Sequence, residues 1–128
     1  MTEMHSVLLV DDDCDSLSAL KFVFEVHNYH VVVAEHGGAA LTEVKKHLPD
    51  LVVTDMEMPE VDGIELCRRL KCLPALVSVP VILVSGGEPP ADVPVAWDAL
   101  LPKPVDFYQL LATTEQLPMV RLKPAERP

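Results

Sequence analysis

Short, continuous apolar runs recur at residues 7–10, 31–34, 51–54, 81–84 and 100–101. They are rich in β-branched side chains and do not alternate with polar ones, the pattern of strands buried on both faces of a parallel sheet. Between the runs, apolar residues recur at helical spacing. Asp13 or Asp15 can cap a helix that turns Leu17, Leu20 and Phe24 inward, with His27 next in that row. Gly37 and Gly38 open a second, with Ala40, Leu41, Val44 and Leu48 in register and Pro49 as its stop. Gly63 opens a third through Ile64, Cys67 and Leu70, closed by Pro74, and Asp106 can cap a last one with Phe107, Leu110, Leu111 and Thr114 inward. Strand and helix alternating about five times predict an α/β fold, a five-stranded parallel sheet with helices on both faces. The stretch between Ser85 and Lys103 contains Pro89, Pro90 and Pro94, which leaves room for at most one or two helical turns near residues 91–98.

The runs end on reactive groups. Asp11, Asp12 and Asp13 follow the first, Asp55 the third and Ser85 the fourth, and Lys103 comes just after the fifth. Ligands of open α/β sheets bind outside the carboxyl ends of the strands, so these groups can converge on one site. Asp11, Asp12 and Asp55 supply the hard oxygens that Mg2+ prefers. A carboxylate beside a cation can also serve as a nucleophile and form an aspartyl-phosphate. Lys103 and the Ser85 hydroxyl suit the charge of a transferred phosphoryl group, and Gly86 and Gly87 let backbone amides approach an anion.

The 128 residues suffice for one domain, and the net charge of -10 disfavours nucleic acid and anionic membranes. The start lacks a basic region, and no run reaches the roughly 18 apolar residues of a membrane span. A soluble cytoplasmic protein is expected. Cys14, Cys67 and Cys72 form no metal or disulfide pattern and read as small core or half-buried side chains. His5, His27, His30, His36 and His47 are expected on helices or helix edges, facing solvent, and Trp97 is expected to pack the shortened fourth unit. Residues 118–128 hold Pro118, Pro124 and Pro128 with Arg121, Lys123 and Arg127, and read as a tail or the start of a linker after a domain of residues 1–117.

Five segments in order carry a resemblance: Leu9-Val10-Asp11-Asp12-Asp13, Pro49-Asp50-Leu51-Val52-Val53-Thr54-Asp55, Met58-Pro59-Glu60-Val61-Asp62-Gly63, Val84-Ser85-Gly86 and Lys103-Pro104. Over residues 5–117 the chain resembles the receiver domain of two-component response regulators. The resemblance implies a flavodoxin-like, doubly wound (βα)5 fold, here with a shortened fourth helix. It implies Asp55 as phosphoacceptor, and Mg2+ bound by Asp11, Asp12, Asp55 and the backbone carbonyl of Glu57. It also implies Ser85 as the switch hydroxyl, Lys103 as the phosphoryl contact and a cis Lys103-Pro104 bond. The implied partners are a sensor histidine kinase or histidine phosphotransfer protein, a downstream effector protein and, on phosphorylation, a second copy in a homodimer. Such a module catalyses only its own phosphotransfer and dephosphorylation.

The chain departs from that pattern in two places. Leu100 stands where the family carries an aromatic switch residue, and the segment from Ser85 to Lys103 is shorter by about a helical turn. Both motivate an alternative, a phosphate-independent adaptor that signals by protein contact. An enzyme reading, an Mg2+-dependent phosphatase using Asp55-Met56-Glu57, would need a cap domain for which 128 residues leave no room.

Overall fold

The computed structural model of the chain describes residues 4–119. Five parallel strands form one sheet: β1 (Ser6–Val10), β2 (His30–Ala34), β3 (Leu51–Asp55), β4 (Val81–Ser85) and β5 (Ala99–Pro102). Their spatial order is β2-β1-β3-β4-β5. β1, β3 and β4 are buried nearly throughout, as continuous apolar runs require. The edge strands β2 and β5 are half exposed, because each has a neighbour on one side only. Asp50 extends the β1–β3 ladder: its amide donates to the Ser6 carbonyl at 2.9 Å, and its carboxylate accepts from the Ser6 amide at 2.7 Å.

Among the described residues four α-helices cover the sheet: α1 (Cys14–Val26), α2 (Gly37–Lys46), α3 (Gly63–Lys71) and α4 (Phe107–Gln116). Asp13, Asp62 and Asp106 cap α1, α3 and α4 by accepting first-turn amide hydrogen bonds, and His36 caps α2 through Nδ1. α1 and α4 pack on one face around Leu17, Phe24, Ile82 and Leu110; α2 and α3 pack on the other around Ala40, Val44, Leu66 and Leu83. Phe24 is fully buried, worth about 2 kcal/mol relative to exposure, and meets Tyr29 edge-on at 5.1 Å.

The fourth crossover carries the expected shortening to its limit. After a single 3₁₀ turn before β4 (Pro74–Leu76), residues 86–98 reach β5 with turns and no helix. The far end of this segment is tied to α3. Lys71 donates to the Val77 and Val79 carbonyls at 3.3 and 2.7 Å and to Asp98 at 3.1 Å, while Asp98 accepts from the Val81 amide at 2.7 Å. Trp97, within this segment, packs against the α2–α3 face.

Several expectations are corrected. α2 ends at Lys46, which leaves Leu48 exposed beyond it; Phe107, at the first turn of α4, is exposed rather than inward. Cys14 and Cys72 are exposed, and only Cys67 is core, its thiol pushed up to about 12, chiefly by burial. His30 opens strand β2 rather than a helix. Of residues 118–128, only Pro118 and Met119 are described; the rest of the expected tail lies outside the described residues.

Gly63 fixes how tightly β3 turns into α3. A Cβ there would strike the carbonyl oxygen of Asp55 and lie 2.8 Å from both Met56 Cα and Leu83 Cδ1. Gly63→Ala should therefore cost about 1–3 kcal/mol in urea unfolding. Gly87→Ala, where an added Cβ meets nothing within 4 Å, should be close to neutral. Equal effects of the two would show that the β3–α3 turn is not under this constraint.

Candidate functional site

The strand order reverses between β1 and β3: β2 lies outward of β1, and β4 and β5 lie on the far side of β3. The crevice at such a reversal opens at the carboxyl ends of the strands. Asp11 follows β1, Asp55 ends β3, Ser85 ends β4, and Lys103 follows β5. Four crossovers thus bring residues distant in sequence to one end of the sheet.

Asp11, Asp12 and Asp55 offer carboxylate oxygens that all lie within 4.8 Å of one another. Asp11 is 6% and Asp55 5% exposed, whereas Asp12 is open to solvent. Lys103 Nζ donates to Asp55 Oδ1 at 2.8 Å, and the Glu57 amide donates to the same oxygen at 3.3 Å. Among the described residues Asp55 Oδ2 accepts no hydrogen bond, and Asp55 lines the crevice. The Asp13 amide donates to Asp11 Oδ1 at 3.0 Å.

Burial raises the Asp11 carboxyl above its ordinary 3.8, with the charges of Asp55 and Asp12 adding to it and the Asp13 amide and Lys103 opposing. For Lys103 burial pulls downward, yet the hydrogen bond to Asp55 and the charges of Asp55, Asp11 and Glu57 outweigh it and the ammonium is favoured. Two buried like charges with one lysine are under-compensated. A hard divalent cation would relieve the repulsion, and an all-oxygen donor set fits Mg2+ better than a soft metal.

Ser85 is buried, but its hydroxyl is not turned to the acidic group. It donates to the Gly87 carbonyl, accepts from the Gly87 amide at 3.1 Å and lies 3.4 Å from the Met56 sulfur. Its carbonyl accepts from the Lys103 amide at 2.8 Å, which couples the ends of β4 and β5. The Lys103-Pro104 bond is cis. Leu100 is 41% exposed on β5, which the chain reaches from β4 without an intervening helix.

Two features escaped the sequence. Met56 directly contacts the Ser85 hydroxyl, although nothing but its place after Asp55 marks it. A cavity of about 340 Å³ also opens between α1 and the segment after β5, lined by Ser16, Ala19 and Leu20 on one side and Pro104, Val105 and Phe107 on the other, with Asp55 and Lys103 at its base. The helical register of Ser16, Ala19 and Leu20 was the signal available for it.

A family model described as the response regulator receiver domain matches residues 7–115. The chain is 36% identical over 126 residues to Response regulator MprA of Mycobacterium sp. (strain KMS), covering 95% of this chain and 54% of that protein. The chain thus spans about half the length of these MprA relatives. It is also 35% identical over 114 residues to a 14.6 kDa protein in the sodA1 3'region of Leptolyngbya boryana, covering 86% of this chain and 87% of that one. Among solved structures, the signal receiver domain of a signal transduction histidine kinase from Syntrophus aciditrophicus superposes with a TM-score of 0.83 at 31% identity, over 94% of this chain and 96% of that one. Chemotaxis protein CheY4 of Vibrio cholerae shares the fold, with a TM-score of 0.84 at 24% identity over 90% of this chain and 99% of that one.

Asp11 offers a test of the electrostatics. Its raised value means that the folded state is burdened by the ionised carboxylate at neutral pH. In chelator-treated buffer at pH 7, Asp11→Asn should raise the urea midpoint. The gain should shrink as pH falls through the raised folded value and vanish below the ordinary one, where Asp11 is protonated in both states. A gain that persists unchanged at low pH would trace it to packing instead.

Proposed function

Because the chain belongs to the response regulator receiver domain family, we propose that Asp55 is its phosphoacceptor, taking a phosphoryl group from a sensor histidine kinase or a histidine phosphotransfer protein. The observation that carries this reading is the pairing of a free Asp55 Oδ2 with an Oδ1 already held by Lys103 and the Glu57 amide. One oxygen is oriented by its neighbours and the other is left to react.

In the transfer, Asp55 Oδ2 forms a bond to phosphorus as the phosphorus–nitrogen bond of the donor phosphohistidine breaks, and the imidazole nitrogen leaves with the electron pair. Lys103, 2.8 Å from Oδ1, is close enough to shift onto a phosphoryl oxygen without leaving the site. The Ser85 hydroxyl, leaving Gly87, would supply a second hydrogen bond to the same group. Mg2+, held by Asp11, Asp12, Asp55 and the Glu57 backbone carbonyl, would neutralise charge on the transferring oxygens. Hydrolysis of the acyl phosphate by water returns the free carboxylate and inorganic phosphate. The protein thus acts on itself as a switch and turns over no external substrate.

The cavity between α1 and the segment after β5 has Asp55 and Lys103 at its base and apolar walls. A donor histidine on a partner's helix can approach Asp55 over this surface. No described helix is long and apolar enough to cross a membrane. The net charge of -10 opposes nucleic acid, so output by protein contact is the fitting reading. The exposed Leu100 and the helix-free crossover favour one alternative, a receiver that signals as an adaptor without phosphate.

Incubation with a small acyl phosphate should add one phosphoryl group to the intact mass of the wild type, only with Mg2+ present. Asp55→Asn should abolish the adduct, and Asp12→Ala should raise the Mg2+ concentration needed by about tenfold or more. Absence of any adduct under all conditions would overturn the phosphoacceptor reading in favour of the adaptor.

A further inference from the structure

On the side of the site away from α1 lies a shallow groove of about 460 Å³ between the β3–α3 turn and the helix-free crossover. Its apolar lining is Met56, Met58, Pro59 and Ile64 from the turn and Pro90 from the crossover; Glu57 and Asp62 add carboxylates. Glu60, Glu88 and Asp92, exposed and one or two residues from this lining, add further negative charge. None of these five acids forms an ion pair among the described residues. One wall of the groove, at Pro90, belongs to the segment 86–98, which crosses to β5 without a helix.

Its chemistry selects the occupant. A second copy of the chain carries a net charge of -10 and would meet the acids with more acid. A segment with Lys or Arg for the rim and an aliphatic anchor for the methionine and proline floor satisfies both features. Residues 120–128 include Arg121, Lys123 and Arg127, but Met119 packs with the α1–α4 face, whereas Met58 and Ile64 belong to the α2–α3 face. A segment supplied by another protein is better placed.

Resting on the phosphoacceptor reading, we propose that this groove is an output surface for a basic, aliphatic segment of a partner protein, and that Met56 couples it to phosphorylation. The Met56 sulfur lies 3.4 Å from the Ser85 hydroxyl and its side chain also lines the groove. When that hydroxyl turns to a phosphoryl group on Asp55, Met56 loses this contact and is freed to repack on an anchor in the groove. Methionine, unbranched and polarisable, suits that adjustment. This route needs neither an aromatic residue at position 100 nor a helix between β4 and β5, the two features missing here.

The test uses the full chain and a labelled octapeptide of alternating Arg and Leu, with a Glu/Leu octapeptide as control. Binding is read by fluorescence anisotropy and by backbone amide shifts. The Arg/Leu peptide should bind and shift amides of residues 56–64 and 88–92, while the control should not. Ile64→Lys and Pro90→Lys, both outside the phosphoacceptor site, should each weaken binding about tenfold while Asp55 still labels. Phosphorylation at constant Mg2+ should tighten binding about fivefold. Met56→Leu, which keeps the volume and removes the sulfur, should cancel that gain without preventing labelling.

No binding, or shifts confined to other surfaces, overturns the groove. Binding that phosphorylation does not alter, on protein whose mass shows the adduct, overturns the coupling. Protein that never labels but binds the peptide refutes the phosphoacceptor reading and leaves the groove standing. If reversing Arg121, Lys123 and Arg127 to Glu shifts the same amides in the absence of peptide, the occupant is the chain's own segment and the partner proposal fails.

Discussion

The contact between Lys103 and Asp55 is the interaction on which the rest of the site depends. Asp55 is nearly buried at the end of the central strand, with Asp11 and Asp12 close by. A buried carboxylate without a counter-charge is costly, and two such carboxylates repel each other. Lys103 supplies the only ammonium in this group, and it reaches Asp55 because β5 runs parallel to β4 and ends level with it, Ser85 pairing with Pro102. The Lys103 amide on the Ser85 carbonyl holds that register. One ion pair thus spans β3, β4 and β5, and a group that displaces Lys103 from Asp55 acts on all three strand ends. The raised pKa of Asp11 marks what the lysine leaves uncompensated.

Most of this arrangement is legible in the sequence, for a physical reason. Strands buried on both faces must be continuous and apolar, so residues 7–10, 51–54 and 81–84 announce themselves, and a polar residue that ends such a run lies at its mouth. Asp11, Asp55 and Ser85 were placed in that way. The turn into α3 was legible through Gly63, whose missing side chain is what lets the backbone pass so close to Asp55. Less legible were residues whose place is set by what is absent around them. Leu48 and Phe107 fit helical spacing, but the first lies past the end of α2 and the second at the opening turn of α4, where no neighbour covers them. Cys14 and Cys72 are apolar by type yet sit at helix ends in solvent. Spacing reports the face of an element, not whether another element lies over it.

The helix-free crossover shows the same principle at larger scale. Prolines at positions 89, 90 and 94 disfavour a helix, but sequence could not say what would replace its packing. The structure replaces it in part. Trp97 and Ala96 cover some of the α2–α3 face, and the Lys71–Asp98 pair anchors the returning chain to α3. That pair is partly exposed, so its charge attraction is modest. Its value is geometric: Lys71 also donates to two carbonyls, and Asp98 accepts from the Val81 amide, at the start of β4. Leu100 is left in solvent by the same loss.

Two ends of the crossover are therefore unequal. The β5 end is pinned by Asp98 and the Asp98–Val81 backbone bond, while the Ser85 end is held by a serine hydroxyl against the carbonyl and amide of Gly87. A change at Asp55 that recruits the hydroxyl would loosen the end already closest to the site and leave the pinned end in place. Within the crossover the change would centre on the stretch beside Met56 and Pro90, while a shift of Lys103 would bear on the β5 end directly. Where a receiver keeps its fourth helix, a rigid element can transmit such a change over a distance. Here the crossover between β4 and β5 is a proline-rich strap without a helix, which offers no such element.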